Sequence, residues 1–164
     1  MDRGILVINN SSGRHAMVRT LPKESPASVQ ARAEVSSDWL DPAAFNFRLT
    51  LNSRKGESLT QLRESGCILG VWMPEKDNYL YPAWQLTSSG RPLPVFAELL
   101  LMLRSSYGVA EGRPTSGWEE IEWLVAPHAL LEGCSPSSLL AIKPDLVLDA
   151  ARQDFSSWSD DARW

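Results

Sequence analysis

Phe96, Leu99, Leu100 and Leu103 follow Pro94 at the i, i+3, i+4, i+7 spacing of a single helix face. No other feature of the chain restricts its fold as strongly, because such a face is stable only when it is covered by other elements. Pro94 opens this helix, and Ser105-Ser106-Tyr107-Gly108 stops it. Ser116, with Glu119 or Glu120 nearby, resembles the cap of a next helix that carries Trp118, Ile121, Leu124 and Val125 inward and ends at Pro127. Leu130, Leu131 and Gly133 form a connector. Ser135-Pro136 then launches a further helix, with a serine cap and a proline at the first position. Pro144 starts another with Leu146, Val147, Ala150 and Ala151, whose small alanines allow close helix approach. The remainder, QDFSSWSDDARW, reads as a polar tail with three aromatics, Phe155, Trp158 and Trp164.

The middle of the chain has a different pattern. Asp38 or Asp41-Pro42 opens a helix containing Ala43, Phe45 and Phe47, and Ser58 opens a short one carrying Leu59 and Leu62 to a stop at Gly66. Two apolar stretches, Ile68 to Trp72 and Tyr79 to Tyr81, are separated by MPEKDN, whose Pro, Asp and Asn are turn residues between paired strands. Upstream, SGRHAMVRT reads as an edge strand, and PKESPASVQARAEVSS as a linker or arm. The fold expected is mostly α with a small β-ribbon. Residues 1–36 form an arm or linker, 37–92 a winged-helix-like module, and 93–164 a small helical bundle with its tail.

Charge separates these units. Residues 1–36 hold five basic and three acidic side chains, residues 37–92 six of each, and residues 93–164 five basic and eleven acidic. The segments carry +2, zero and −6, for a total of −4. An acidic C-terminal segment points to a protein partner with a basic surface and away from general polyanion binding. Two cysteines cannot build a disulfide framework or an all-cysteine zinc site. The apolar run around residue 100 is broken by Glu98 and is about half the length that spans a bilayer. The N-terminus lacks the pattern of a signal peptide, so a cytoplasmic protein with reduced thiols is expected.

Reactive motifs are missing. There is no HExxH, phosphate loop or Gly-x-Ser-x-Gly elbow, and His15 and His128 are far apart in sequence. Cys67 at a strand start and Cys134 beside a glycine turn read as small buried hydrophobes, and His128 as a connector residue satisfying a carbonyl. Glu119 and Glu120 point in adjacent directions on a helix and suit its N-terminus. The sequence therefore points to a protein that is not an enzyme and uses no cofactor and no metal.

Several landmarks occur in a telling order. Pro82-Ala83-Trp84-Gln85-Leu86 and Gly90-Arg91-Pro92-Leu93-Pro94 precede the first helix of the acidic part, and a tryptophan-bearing helix from Trp118 runs to Pro127-His128. Gly133-Cys134-Ser135-Pro136-Ser137-Ser138-Leu139-Leu140 and Val147-Leu148-Asp149-Ala150-Ala151-Arg152 follow. This half of the chain, Trp84 to Arg152, resembles the toxin-binding domain of Xre/MbcA/ParS-type antitoxins. The segment before it resembles the small winged-helix modules of excisionase type, where commoner members carry a repressor-type helix-turn-helix.

The resemblance implies a protein that neutralises a cognate toxin enzyme by occluding its active site. It places the partner-binding surface on Trp118, Trp123, His128, Trp158, Asp160, Asp161 and Trp164, with aromatics supplying contact area and acids meeting a basic cleft. The winged-helix likeness implies Arg54, Lys55, Thr60, Gln61 and Arg63 in or beside a reading helix and Lys76 in the wing. Arg and Gln there would face base edges, and Lys a phosphate of operator DNA. The alternative function is accordingly a DNA-binding transcription regulator, an autorepressor whose C-terminal helices form a homodimer. A net +2 over residues 48–76 is thin for that role.

Overall fold

The computed structural model describes residues 25–50, 57–109 and 115–160, and the side chains of all of these except Thr50 and residues 156–160. They fall in two compact units, Met1–Ser37 and Asp38–Trp164. In the first unit, helix α1 (Pro26–Val35) occupies part of the segment read from sequence as a linker or arm. Ser25 caps it through a bond from the Ser28 amide at 3.2 Å, and Pro26 sits at the first position. None of its side chains is buried. The expected edge strand before it lies outside the described residues.

The second unit is built on local signals that the sequence displays openly. In α2 (Pro42–Thr50) the Asp41 carboxylate accepts from the Ala44 amide at 2.8 Å. In α3 (Leu59–Glu64) Ser58 and Gln61 form a reciprocal capping box: the Ser58 hydroxyl accepts from the Gln61 amide, and the Gln61 side chain accepts from the Ser58 amide at 2.8 Å. Strands β1 (Val71–Met73) and β2 (Asn78–Leu80) pair antiparallel, with Val71 opposite Leu80, Trp72 opposite Tyr79 and Met73 opposite Asn78. The turn between them is the 3-10 segment Pro74–Lys76, closed by Asp77 at φ +47°. The described residues are thus mostly helical with a small two-stranded antiparallel ribbon, as the sequence predicts.

The ribbon and its flanks divide two cores. Extended residues alternate sides, so Ile68 and Tyr81 join Phe45, Leu49 and Leu62 in a smaller cluster, while Leu69, Val71 and Leu80 face a larger one. Phe45 and Tyr81 stack at 4.8 Å in the smaller core. The larger core holds the apolar face read from the sequence after Pro94: Phe96, Leu99, Leu100 and Leu103 of α4 (Phe96–Ser106) are all 0 % exposed. Each such burial stabilises by roughly 1.5–3 kcal/mol. Trp39, Leu69, Val71, Met73 and Leu80 share that cluster with Leu124, Leu131, Val147 and Ala151. One core therefore runs through the boundary expected between residues 92 and 93, because the inner face of the ribbon has no other cover.

Helices α5 (Trp118–Val125), α6 (Pro136–Leu139) and α7 (Pro144–Asp160) complete the bundle. Two caps differ from expectation. Gly117, at φ +84°, is the cap residue of α5, with its backbone against Gly70: a Cβ there would come within 2.5 Å of the Gly70 carbonyl oxygen. Ser116, one residue earlier, accepts from the Trp118 amide through its hydroxyl at 3.3 Å and from the Trp72 amide through its carbonyl at 2.7 Å, extending the ribbon edge. Ser135 makes no side-chain cap, and its hydroxyl sits 3.3 Å from that of Ser137. The segment expected to be a polar tail continues α7 as helix through Asp160. No helix among the described residues is long and apolar enough to cross a membrane.

Candidate functional site

Two of the expected partner-binding residues, Trp123 and His128, share one acceptor. Asp154, on α7, receives the Trp123 indole N–H at 2.9 Å and lies 2.6 Å from Nε2 of His128, both through Oδ2. The other ring nitrogen of His128, Nδ1, accepts from the Leu130 amide at 3.2 Å and caps the 3-10 turn Ala129–Leu131. Nδ1 is thus a lone-pair acceptor and Nε2 carries the proton it gives to Asp154. The expectation that His128 satisfies a carbonyl is corrected: it bridges an amide and a carboxylate. With both nitrogens occupied, this imidazole has no position from which to take a proton from a substrate.

Asp154 feels opposing influences. Partial burial pushes its carboxyl up, but the hydrogen bonds from Trp123 and His128, with the electrostatic attraction of the His128 N–H, outweigh that and hold it below the ordinary value. A carboxyl lowered by folding binds its proton first in the unfolded chain. Its contribution to stability is therefore complete above the unfolded value near 3.8 and is lost as pH falls through the lower folded value. Urea midpoints measured from pH 5 downward should fall less steeply for Asp154→Asn than for the native chain. Parallel slopes would show that the cluster does not couple to folding.

Trp118 is also structural in its contacts, and Trp123 packs on neighbouring rings. Trp118 donates its indole N–H to the Trp72 carbonyl at 3.0 Å and packs on Trp39 with ring centres 5.9 Å apart. Trp123 meets Phe155 at 5.8 Å and His128 at 5.5 Å. Trp158 and Asp160 belong to α7, whose side chains there are outside the description; Asp161 and Trp164 lie outside the described residues altogether. Cys67 is half-buried, with its sulfur 3.3 Å from the Ser65 hydroxyl. Cys134 is exposed, a correction to its expected burial, because the turn holding it bonds to His128 through backbone alone. No group of His, Cys, Asp or Glu among the described residues could hold a metal ion.

The proposed reading-helix residues disperse. Arg54 and Lys55 lie outside the described residues. Gln61 is exposed but commits its side chain to the capping box. The Arg63 guanidinium lies 3.8 Å over the Tyr79 ring, with Nη1 3.5 Å from the Tyr81 hydroxyl. Burial raises the Tyr81 phenol above its ordinary value, with the Arg63 contact pulling the other way. Thr60 and Lys76 are exposed, Lys76 in the ribbon turn between Glu75 and Asp77.

What the bundle does present to solvent is aliphatic and acidic. Ile142 is 74 % exposed, Leu130 44 % and Leu146 41 %. Ile142 and Leu146 are four residues apart at the entry to α7, where Asp145 and Asp149 are also exposed. Arg152, one turn on, bonds to Asp149 at 2.9 Å and to Glu98 of α4 at 2.8 Å.

No family model matches this chain. Neither does any curated protein or any solved structure. Functional assignment accordingly rests on the geometry just given.

Sequence reasoning missed Asp154, Gln85 and the buried pair Arg104–Glu120. Asp154 was findable, since it stands seven residues after Val147 and three after Ala151, a carboxylate on an apolar helix stripe. Glu120, in the first turn of α5 as expected, also shares a face with Leu124, four residues on. Gln85 gave no sign beyond its place in the Pro82–Leu86 segment, because its partners are backbone atoms.

Proposed function

We propose that this protein neutralises a toxin enzyme by docking its acidic helical half over the partner's active site. One observation carries the reading: Ile142 and Leu146 stand exposed among Asp145 and Asp149 on a segment whose net charge is −6. Aliphatic anchors of this kind gain roughly 1.5–3 kcal/mol each when a partner covers them. Carboxylates around them favour a basic cleft and speed encounter with it. The reading needs no reaction from this chain, consistent with an imidazole whose nitrogens are both used.

The test starts with the neighbouring open reading frame. Its product, expressed alone, should arrest growth, and co-expression of this chain should restore it. Ile142→Asp with Leu146→Asp should abolish rescue and weaken complex formation by about 100-fold or more, while the melting temperature stays near that of the native chain. A neighbour that is harmless alone, or a double variant that rescues fully, overturns the proposal.

A further inference from the structure

A cavity of about 710 Å³ opens between the last turn of α2 and the turn that follows Gln85, lined by Arg48, Ala83, Leu86, Thr87, Ser88, Ser89 and Gly90. Its walls are fixed by backbone. Gly90, at φ +77°, lies so close to α2 that a Cβ would meet the Arg48 carbonyl oxygen at 2.1 Å. The turn closes on itself: the Thr87 amide donates to the Arg91 carbonyl at 2.7 Å, and the Gly90 amide to the Thr87 carbonyl at 2.9 Å. The Thr87 hydroxyl lies 2.9 Å from that of Ser89 and accepts from the Arg91 amide at 3.1 Å. Such a turn holds its shape whether or not a ligand is present.

The lining chemistry is selective. Arg48 and the hydroxyl-bearing Thr87, Ser88 and Ser89 line it together with Ala83 and Leu86, and no carboxylate is among the described lining residues. Arg48 is exposed and has no carboxylate partner among the described residues. A guanidinium fork matches two oxygens of a phosphate, and the Ser88 hydroxyl can donate to a third, the Thr87 and Ser89 hydroxyls already sharing a hydrogen bond. The volume falls within the roughly 300–1,000 Å³ of small-ligand sites, well beyond what a bare phosphate fills. The geometry points to a binding site for a phosphate group carried on a larger body, either a nucleotide or a nucleic-acid strand, with its apolar portion on Ala83 and Leu86. This site is independent of the toxin-docking face.

Amide NMR titration of the full chain with inorganic phosphate, with AMP and with a short DNA duplex tests the assignment. The amides of Ser88, Ser89 and Gly90 should shift saturably with all three probes. AMP or the duplex should bind about tenfold or more tighter than inorganic phosphate, because only they use the apolar floor. Tighter AMP identifies a nucleotide site; a tighter duplex whose affinity falls steeply with salt identifies a nucleic-acid contact. Arg48→Gln should weaken whichever probe binds best by about tenfold or more, and Ser88→Ala by less, both with unchanged melting temperature. The inference falls if the shifts do not saturate, if they scatter over Lys76 and Lys143, or if Arg48→Gln binds as the native chain does.

Discussion

Gln85→Met should lower stability by about 3–5 kcal/mol in urea unfolding, and the melting temperature by roughly 10–15 °C. The Gln85 side chain is 0 % exposed and acts as a piece of backbone. Its Oε1 accepts from the Leu69 amide at 2.7 Å, and its Nε2 donates to the carbonyls of Leu69 and Pro82, each at 2.9 Å. Leu69 thereby obtains the two bonds that a third strand would have given it. Methionine fills nearly the same space and offers none of them, so an amide and two carbonyls lose their partner in a dry place. Each unsatisfied group costs about 1–3 kcal/mol, less where the chain relaxes. A loss below about 1 kcal/mol would mean that water reaches Leu69 and that the side chain is not a strand surrogate.

This residue marks the limit of what the sequence could reveal. Helix starts at Asp41, Ser58 and Pro144 were legible because a cap involves atoms only two or three residues apart. The face of α4 was legible because its periodicity is the record of burial. Helix α1 escaped because it buries nothing and so has no stripe to read, leaving only its Ser25-Pro26 start. The last turns of α7 escaped for a related reason: Asp154 and Phe155 tether a polar helix by contacts to His128, Trp123 and Tyr107, all distant in sequence.

The site followed the same division. Trp118, Trp123 and His128 stand out in the sequence, yet which atoms they meet depends on packing between elements, which spacing does not encode. The indole and imidazole donors turned out to serve Trp72 and Asp154. Conversely, nothing in the sequence pattern singles out Ile142 and Leu146, since an aliphatic residue near a helix start is usually covered. Only the packed bundle leaves them outside.

Glu120→Ala should destabilise the protein by about 3–5 kcal/mol, because it strands a charge that has been taken out of water. Glu120 has 1 % of its side chain exposed and Arg104 12 %; Nε of the arginine donates to Oε1 at 2.9 Å, and the Thr115 hydroxyl donates to the same oxygen at 2.8 Å. Oε2 has no hydrogen-bond partner among the described residues. The pair is therefore incompletely satisfied, and its own net contribution is small even though breaking it is severe. Arg104 is further tied to the α3 end by a 3.4 Å contact from Nη1 to the Arg63 carbonyl, so the stranded guanidinium cannot swing freely to solvent. Replacing both partners by apolar residues of similar volume, Arg104→Met with Glu120→Leu, should recover most of the loss, to within about 1–2 kcal/mol of the native chain. The double-mutant cycle in urea, with equal m-values for the four chains, isolates the coupling. High salt should leave it nearly unchanged, because ions do not screen a pair this buried. If the double variant is instead as unstable as the sum of the two single ones, the charges act separately and the buried pair holds nothing together.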